Sequence, residues 1–266
     1  MNLKDYPMPA RYEDLKNKSV YISGGASGIG KDLVIYFAKQ GANVLFVDIQ
    51  KDVGQELAKE LNEKLVEEID TDTKVIFKHV DITHHDDFKN SILEANALGD
   101  GLYCMLNNAA VDQRINFEDV SPEDFMRIIN INLQPQFHGC QIAYDLMRDK
   151  KIGSIINFGS VASTLKIKDI EIYSACKIGV HALTRSFASS FGASNIRVNT
   201  LVPGCILTPK QLKLWITPED EIDILNKQSL HRRLEGKDVA QMALFLASEA
   251  SSACTGQEFI VDGGIT

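Results

Sequence analysis

Cysteine is scarce in this sequence, tryptophan occurs once, and long hydrophobic runs are missing. The five cysteines are odd in number, lie far apart and never form a Cys-x-x-Cys pair. We therefore expect reduced thiols, with neither a disulfide framework nor a metal site. No segment approaches the roughly 18 apolar residues of a membrane span, and residues 1–18 contain no signal-peptide stretch. These absences predict a soluble, cytoplasmic protein.

An excess of positive charge is also missing. There are 28 Lys and Arg residues against 36 Asp and Glu, a net charge of -8. Binding to nucleic acid or to an anionic membrane requires clustered basic residues, so we expect neither partner. With 266 residues, 44% of them hydrophobic, the chain can form one large core. We predict a single domain over residues 1–266 that acts on a small molecule.

Short apolar runs alternate with helical segments along the whole chain. Runs of this kind, without strict polar alternation, are typical of strands buried on both faces of a parallel sheet. The pattern predicts an α/β fold, a doubly wound (Rossmann) domain of about seven parallel strands flanked by helices. The predicted strands span residues 19–23, 43–48, 74–80, 102–107, 154–158, 196–202 and 258–261.

The clearest predicted helix spans residues 52–70, with an i,i+4 ion pair between Glu60 and Lys64 on its wet side. Gly41 is predicted to cap the first helix at its C-terminus, and Ser121 and Thr217 to cap two later helices at their N-termini. The apolar face predicted for the helix over residues 52–70 consists of Val53, Leu57, Leu61, Leu65 and Ile69.

A glycine-rich turn, Ser23-Gly-Gly-Ala-Ser-Gly-Ile-Gly30, joins the first predicted strand to a helix. Backbone at such a turn can approach a pyrophosphate at a helix N-terminus. A plain strand-to-helix turn has a similar composition. Asp48 ends the second strand, where a carboxylate can bind the adenosine ribose hydroxyls and repel a 2′-phosphate, which favours NAD over NADP. The alternative is that Asp48 caps the next helix.

Asp81 and Asn108 follow the third and fourth strands, again at carboxyl ends. Asp81 could instead start a turn before a helix capped by Thr83, and Asn108 could satisfy loop backbone only. Tyr173 and Lys177 are four residues apart in a helical stretch, so they share a face. A nearby ammonium should lower the pKa of the phenol and make it a usable acid or base.

Together these motifs resemble the short-chain dehydrogenase/reductase family over residues 15–264. The resemblance implies hydride transfer with Asn132, Ser160, Tyr173 and Lys177 as the catalytic tetrad. Ser160 would hold the substrate oxygen, Tyr173 would exchange its proton, and Lys177 would bind the nicotinamide ribose. Asn132 would support a water relay. The implied NAD site consists of Gly24, Ser27, Gly28, Ile29, Gly30, Asp48, Asp81, Ile82, Asn108, Ala109, Tyr173, Lys177, Pro203, Gly204, Ile206 and Thr208.

Two positions depart from the family pattern. Ala110 replaces a glycine, which is tolerable only if the backbone there avoids positive φ, and Ser23 replaces threonine. The family usually forms homotetramers through the helices that carry Asn132 and Tyr173 and through the last strand. We therefore expect a homotetramer.

Residues 205–235 lie outside any core strand–helix unit and contain Trp215. We expect this segment to be a substrate lid. Its sequence from Pro203 to Glu219 resembles bacterial aldose 1-dehydrogenases of the D-xylose type, which implies oxidation of a free sugar at C1 to a lactone. Reductases of 3-oxoacyl groups, steroid or polyol dehydrogenases, and a cofactor-sensing protein without turnover are alternatives. Candidate partners for substrate hydroxyls are Gln113, Arg114, Lys166 and Gln211.

Overall fold

A computed structural model describes residues 1–69 and 73–266. Within these residues, seven strands form one fully parallel sheet in the order β3-β2-β1-β4-β5-β6-β7. The order reverses at β1, which lies between β2 and β4. Their bounds are β1 Ser19–Ser23, β2 Asn43–Asp48, β3 Val75–His79, β4 Leu102–Asn107, β5 Gly153–Phe158, β6 Ile196–Pro203 and β7 Glu258–Val261.

Helices cover both faces of the sheet, as the sequence predicted. α1, α2 and α9 pack on one face, and α3, α5 and α6 on the other. The helix bounds are α1 Gly28–Lys39, α2 Lys51–Ile69, α3 His85–Asn96, α4 Pro122–Asn132, α5 Gln134–Met147, α6 Glu171–Phe191, α7 Pro209–Leu214, α8 Pro218–Lys227 and α9 Gly236–Ala247.

The strands are buried on both faces because each face contributes to a separate core. Val20 and Ile22 of β1 belong to the core beneath α1 and α9, whereas Tyr21 between them belongs to the opposite core. Alternate side chains of a strand point to opposite faces, so an apolar strand can serve both cores. This explains why the strand sequences lack polar alternation.

One predicted position on α2 is wrong. Val53 is 49% exposed, and Gly54 takes the buried position, where a Cβ would stand 2.2 Å from the Phe77 ring. Residues spaced by four turn about 40° around a helix at each step, so a strict repeat of four leaves the buried face. The predicted Glu60–Lys64 pair forms at 3.5 Å. The predicted end of this helix at residue 70 lies outside the described residues.

The predicted caps are confirmed. Gly41 follows the end of α1 with a φ of +83°, and the hydroxyls of Ser121 and Thr217 accept from backbone amides in the first turns of α4 and α8. All five cysteines are free thiols. In the described part of the chain, no helix combines the length and apolar character required to cross a membrane.

Candidate active site

The turn between β1 and α1 is closed by backbone contacts that require glycine. Gly24 has a φ of +69°, and a Cβ there would lie 2.8 Å from the Cα of Ala109. A Cβ on Gly30 would lie 1.8 Å from the carbonyl oxygen of Gly24. A side chain at either position would displace the turn. The backbone N–H groups at the start of α1 are thus presented at the carboxyl edge of the sheet.

The loop after β4 is tied to this turn by hydrogen bonds. The side-chain amide of Asn108 donates to the carbonyls of Ser23 at 2.9 Å and Gly24 at 3.0 Å. The Ser23 hydroxyl accepts from the backbone amides of Asn108 and Ala109, both at 3.1 Å. Serine therefore supplies the hydroxyl at this position. Ala110 does not adopt a positive φ, so alanine fits there without backbone strain.

Asp48, at the end of β2, faces the glycine-rich turn. One carboxylate oxygen accepts from the amide of Ala26 at 3.0 Å and the other from the amide of Gln50 at 2.9 Å. The Gln50 side chain also donates to the hydroxyl of Ser27 at 2.9 Å. α2 begins only at Lys51, so Asp48 holds the turn rather than capping that helix. The carboxylate thus lies against the turn that the sequence predicts to bind a dinucleotide.

Asp81 lies beside the end of β2, because the amide of Val80 donates to the carbonyl of Asp48 at 3.2 Å. Burial opposes ionisation of Asp81, but hydrogen bonds from the amide and hydroxyl of Thr83 keep its pKa below the ordinary value. His84, rather than Thr83, is the N-cap residue of α3. Asp81 and the adjacent Ile82, both predicted to bind the cofactor, thus follow β3 next to the end of β2.

The loop after β6 returns to the glycine-rich turn. Pro203 ends β6, and the amide of Gly204 donates to the carbonyl of Val261 in β7 at 2.9 Å. Further along, the methyl group of Thr208 lies 3.3 Å from the position of a Cβ on Gly28. This loop therefore approaches the turn at Gly28, whereas Asp48 contacts it at Ala26.

The arrangement fits a nicotinamide dinucleotide. The glycine-rich turn leaves room that any side chain would fill, a carboxylate stands at one end of the groove, and the loop after β6 borders the other. Helix N-terminal amides suit the pyrophosphate, and the carboxylate suits ribose hydroxyls. Of the predicted cofactor residues, Asp48, Asn108 and Thr208 lie against this turn, and Tyr173 and Lys177 belong to the predicted tetrad.

The four predicted catalytic residues come from three parts of the chain. Asn132 ends α4, Ser160 follows β5, and Tyr173 and Lys177 lie one turn apart at the start of α6. Ser160 lies close enough to Tyr173 for its hydroxyl to lower the pKa of the phenol. Lys177 is 1% exposed, its Nζ donates to the carbonyl of Phe158 at 2.7 Å, and it lies 5.5 Å from the centre of the Tyr173 ring.

The predicted lowering of the Tyr173 pKa is wrong for this structure. Burial raises the pKa of Tyr173 to about 12, opposed by the Ser160 hydrogen bond and increased further by the charge of Asp112. Burial also lowers the pKa of Lys177 to about 8. Desolvation disfavours the charged forms of both groups, and Lys177 points its ammonium at a backbone carbonyl.

Asn132 uses its side chain to hold the loop after β4. Its Oδ1 accepts from the amide of Val111 at 2.9 Å, and its Nδ2 donates to the carbonyls of Val111 at 3.1 Å and Ile128 at 2.9 Å. The helix is interrupted just after it, at Leu133, because Pro135 has no N–H to continue the ladder. Asn132 thus fixes the backbone beside the tetrad.

A buried polar network supports the tetrad from beneath, and the sequence analysis missed it. The Asn107 side chain donates to Asn157 at 2.9 Å, Asn157 donates to Thr184 at 3.0 Å, and Thr200 donates to Thr184 at 2.8 Å. The chain of bonds joins β4, β5, β6 and α6. The sequence signal for this network was Asn157, a polar residue within the otherwise apolar end of the strand that leads to Ser160.

The segment predicted to be a lid forms two short helices, α7 and α8, over the carboxyl edge. It begins at Ile206, which pairs with Leu234 at its far end. A capping box between Thr217 and Asp220 starts α8. Trp215 separates the two helices, and the guanidinium of Arg114 lies 5.4 Å from its ring centre.

A second contact joins this segment to the loop after β4. The Nε2 of Gln211 donates to the Oδ2 of Asp112 at 2.6 Å. Of the other residues predicted to contact substrate, Gln113 accepts a hydrogen bond from Arg127 at 2.7 Å, and Lys166 is exposed.

Beside Tyr173 lies a cleft of about 500 Å³ between the loop after β4 and the start of α6. Most of its lining is apolar, although acidic and amide side chains stand at its rim. Its apolar lining residues are Ile115, Phe117, Val120, Ile128, Ile170 and Ile172.

Comparison with known proteins identifies the fold and its chemistry. A family model described as enoyl-(acyl carrier protein) reductase matches residues 24–266. The chain is 38% identical to a probable galactose dehydrogenase of Rhizobium meliloti and 36% identical to a D-xylose 1-dehydrogenase of Caulobacter vibrioides. Each match covers 96% of this chain and 98% of the relative.

Solved structures agree with this assignment. A short-chain type dehydrogenase/reductase from Mycobacterium ulcerans superposes with a TM-score of 0.89 at 27% identity, covering 96% of this chain and 91% of the other. A 7α-hydroxysteroid dehydrogenase, in complex with NADH and 7-oxo glycochenodeoxycholic acid, gives 0.86 at 31% identity, covering 95% and 96%. The protein therefore belongs to the short-chain dehydrogenase/reductase family, whose members use NAD or NADP, and is an oxidoreductase that acts on CH–OH groups.

Proposed function

We propose that this enzyme oxidises a free aldose at C1 to the lactone, with NAD as the hydride acceptor. The observation that carries the proposal is the similarity, over nearly the whole chain, to two sugar dehydrogenases. The contact between Asp112 and Gln211 supports it, because polar groups stand above the tetrad where sugar hydroxyls need partners.

In this proposal the tetrad removes the proton from the C1 hydroxyl while hydride leaves C1. Bound NAD supplies the hydride acceptor at its nicotinamide ring. Ser160 holds the C1 hydroxyl oxygen, and Tyr173, whose pKa Ser160 lowers, accepts the proton from that oxygen. Lys177 would hold the nicotinamide ribose, and Asn132 would support the water relay that removes the proton.

Asp48 supports the preference for NAD. Its carboxylate is fixed by two amide hydrogen bonds beside the glycine-rich turn, so it cannot turn away from an adenosine ribose. It can accept from ribose hydroxyls, whereas a 2′-phosphate would meet like charge.

We also infer that the protein is a single domain in which residues 205–235 form a substrate lid. We further infer that it forms a homotetramer. Apolar side chains on α4, α5 and α6 remain exposed around a second cleft of about 750 Å³, and Ile260 is exposed on β7 at the sheet edge. Association would bury both surfaces. Phe137→Glu is expected to lower the molecular mass of the assembly, measured by light scattering. The control is Lys89→Glu, which replaces an exposed residue of α3. The exposed apolar residues are Phe125, Met126, Phe137 and Ile178.

One observation favours a second substrate class, an alicyclic or steroid alcohol. The cleft beside Tyr173 is mainly apolar, and such a lining suits a hydrocarbon skeleton. Curated relatives at 33% identity include a trans-4-hydroxycyclohexanecarboxylate dehydrogenase from Sinomonas cyclohexanicum.

The experiment that separates these candidates measures NAD reduction with a panel of pentoses and hexoses beside cyclohexanol and hydroxysteroids. The proposal expects kcat/KM to be highest for one aldose, with a lactone as the product. A higher value for a cyclic alcohol or a steroid would select the second class.

A further inference from the structure

Asp112 belongs neither to the tetrad nor to the predicted cofactor site, yet it lies close to both the tetrad and the lid. It lies in the loop after β4, half-buried at the carboxyl edge, and its Oδ2 accepts the 2.6 Å hydrogen bond from Gln211 of α7. The lid therefore contacts the loop after β4 through the carboxylate of Asp112.

Both neighbours of Asp112 in the chain are anchored. Asn132 holds the backbone of Val111 through two hydrogen bonds, at 2.9 and 3.1 Å, and Arg127 donates to the side chain of Gln113 at 2.7 Å. Anchors on either side limit the movement of the residue between them. The carboxylate thus belongs to the residue next to Val111, which Asn132 of the tetrad holds in place.

Asp112 also shares its surroundings with the acid/base group. Its negative charge is close enough to Tyr173 to contribute, after burial, to the raised pKa of the phenol. Ser160 and Tyr173 would hold the reacting oxygen of a substrate. A substrate held in this way would extend from Tyr173 toward the loop of Asp112, which the hydrogen bond from Gln211 joins to the lid.

The chemistry of a carboxylate selects what can bind there. Ionised Asp accepts hydrogen bonds and donates none, and its two oxygens offer about four acceptor positions, so the bond from Gln211 is compatible with another. A hydroxyl can donate to it, whereas a substrate carboxylate or phosphate would be repelled.

We propose that Asp112 is a specificity-determining residue that accepts a hydrogen bond from the hydroxyl on the carbon next to the reacting carbon, and that Gln211 holds the carboxylate for this contact. The assignment rests on the proposed function in one respect: for an aldose oxidised at C1, the group is the C2 hydroxyl. The enzyme then requires a neutral vicinal diol.

The test compares a good aldose with its 2-deoxy analogue in the wild type, Asp112→Ala and Asp112→Asn. Hydrogen bonds to charged groups predict a wild-type preference in kcat/KM of about 10- to 100-fold for the aldose. Asp112→Ala should reduce that preference to below about 3-fold, and Asp112→Asn, which keeps one acceptor oxygen, should fall between. Intrinsic differences between the two sugars cancel because the same pair is compared in every variant.

Asp119→Ala is the matched control, since it removes an exposed carboxylate from the same loop. It should keep the wild-type preference. If the aldose preference is unchanged in both Asp112 variants, or if Asp112→Ala slows both sugars equally, Asp112 is only a structural residue and the inference is overturned.

Failure of the proposed function gives a different result. If no aldose reacts, cyclohexanol and trans-1,2-cyclohexanediol replace the sugar pair in the same variants. A preference for the diol that is lost in Asp112→Ala supports the role of Asp112 and rejects the sugar; a preference that persists rejects the role of Asp112 as well.

The pH profile provides an independent readout. Removing the charge of Asp112 lowers the pKa of Tyr173, so the rising limb of oxidation in Asp112→Asn should move to lower pH. Asp119→Asn should leave it in place, and an unmoved limb in Asp112→Asn would contradict the proposed proximity of the two groups.

Discussion

Replacing Asp48 by serine should change the choice of cofactor. The carboxylate is nine-tenths buried and bonded to the amides of Ala26 and Gln50, so its charge is fixed beside the groove. A 2′-phosphate at ~4 Å would experience about 4 kcal/mol of repulsion per unit charge at an effective dielectric near 20. Solvent and salt on the outer side of the phosphate reduce this to roughly 2–4 kcal/mol.

This energy corresponds to about 30- to 700-fold in the ratio of kcat/KM for NAD and NADP. Asp48→Ser should shift the ratio toward NADP by that factor. It should also weaken NAD about tenfold, through the lost hydrogen bonds to ribose hydroxyls.

The assay measures kcat/KM for each cofactor at saturating sugar, with Asp52→Ser as the control. Asp52 is an exposed carboxylate in the first turn of the next helix, so its removal changes the net charge equally. Wild-type enzyme that uses NADP as well as NAD would refute the argument. A shift of equal size in both variants would show that the net charge of the protein, rather than the position of the Asp48 carboxylate, determines the preference between NAD and NADP.

Further predictions concern the tetrad. Tyr173→Phe removes the group that exchanges the proton and should reduce kcat about 10²- to 10⁴-fold while NAD binding, followed by fluorescence, stays within about threefold; turnover within tenfold of wild type would assign the proton to another residue. Oxidation by wild-type enzyme should accelerate with rising pH, because Tyr173 accepts a proton only as the phenolate and burial raises its pKa to about 12. In Ser160→Ala the residual activity should show this limb at still higher pH, because the hydrogen bond from Ser160 lowers that pKa; a limb at lower pH would contradict the assigned bond.

The fold could be predicted from the sequence because its signals are local. Each strand is an apolar run bounded by polar residues, and the caps at Gly41, Ser121 and Thr217 depend on neighbouring residues only. The carboxyl ends of parallel strands meet at one edge, so Asp48, Asp81 and Asn108 could be placed at a common site without coordinates.

The remaining features depend on contacts between distant parts of the chain. The pKa of Tyr173 is governed by burial, which the four-residue spacing to Lys177 does not reveal. Asp112 meets Gln211 across 99 positions of sequence, and Asn157 meets Thr184 across 27. Polar residues in the loop that follows a strand, such as Asp112 after β4, were the signal that could have marked this contact.

The central claim is oxidation of a sugar at its anomeric carbon, and one comparison tests it directly. NAD reduction is measured with the best aldose of the panel and with its methyl glycoside, which has the same ring hydroxyls but no free hydroxyl at C1. In the glycoside the oxygen at C1 carries a methyl group and no proton that Tyr173 could accept. We therefore expect turnover of the aldose and none of the glycoside. Equal rates with the two compounds would place the reaction at another carbon and contradict the proposed function.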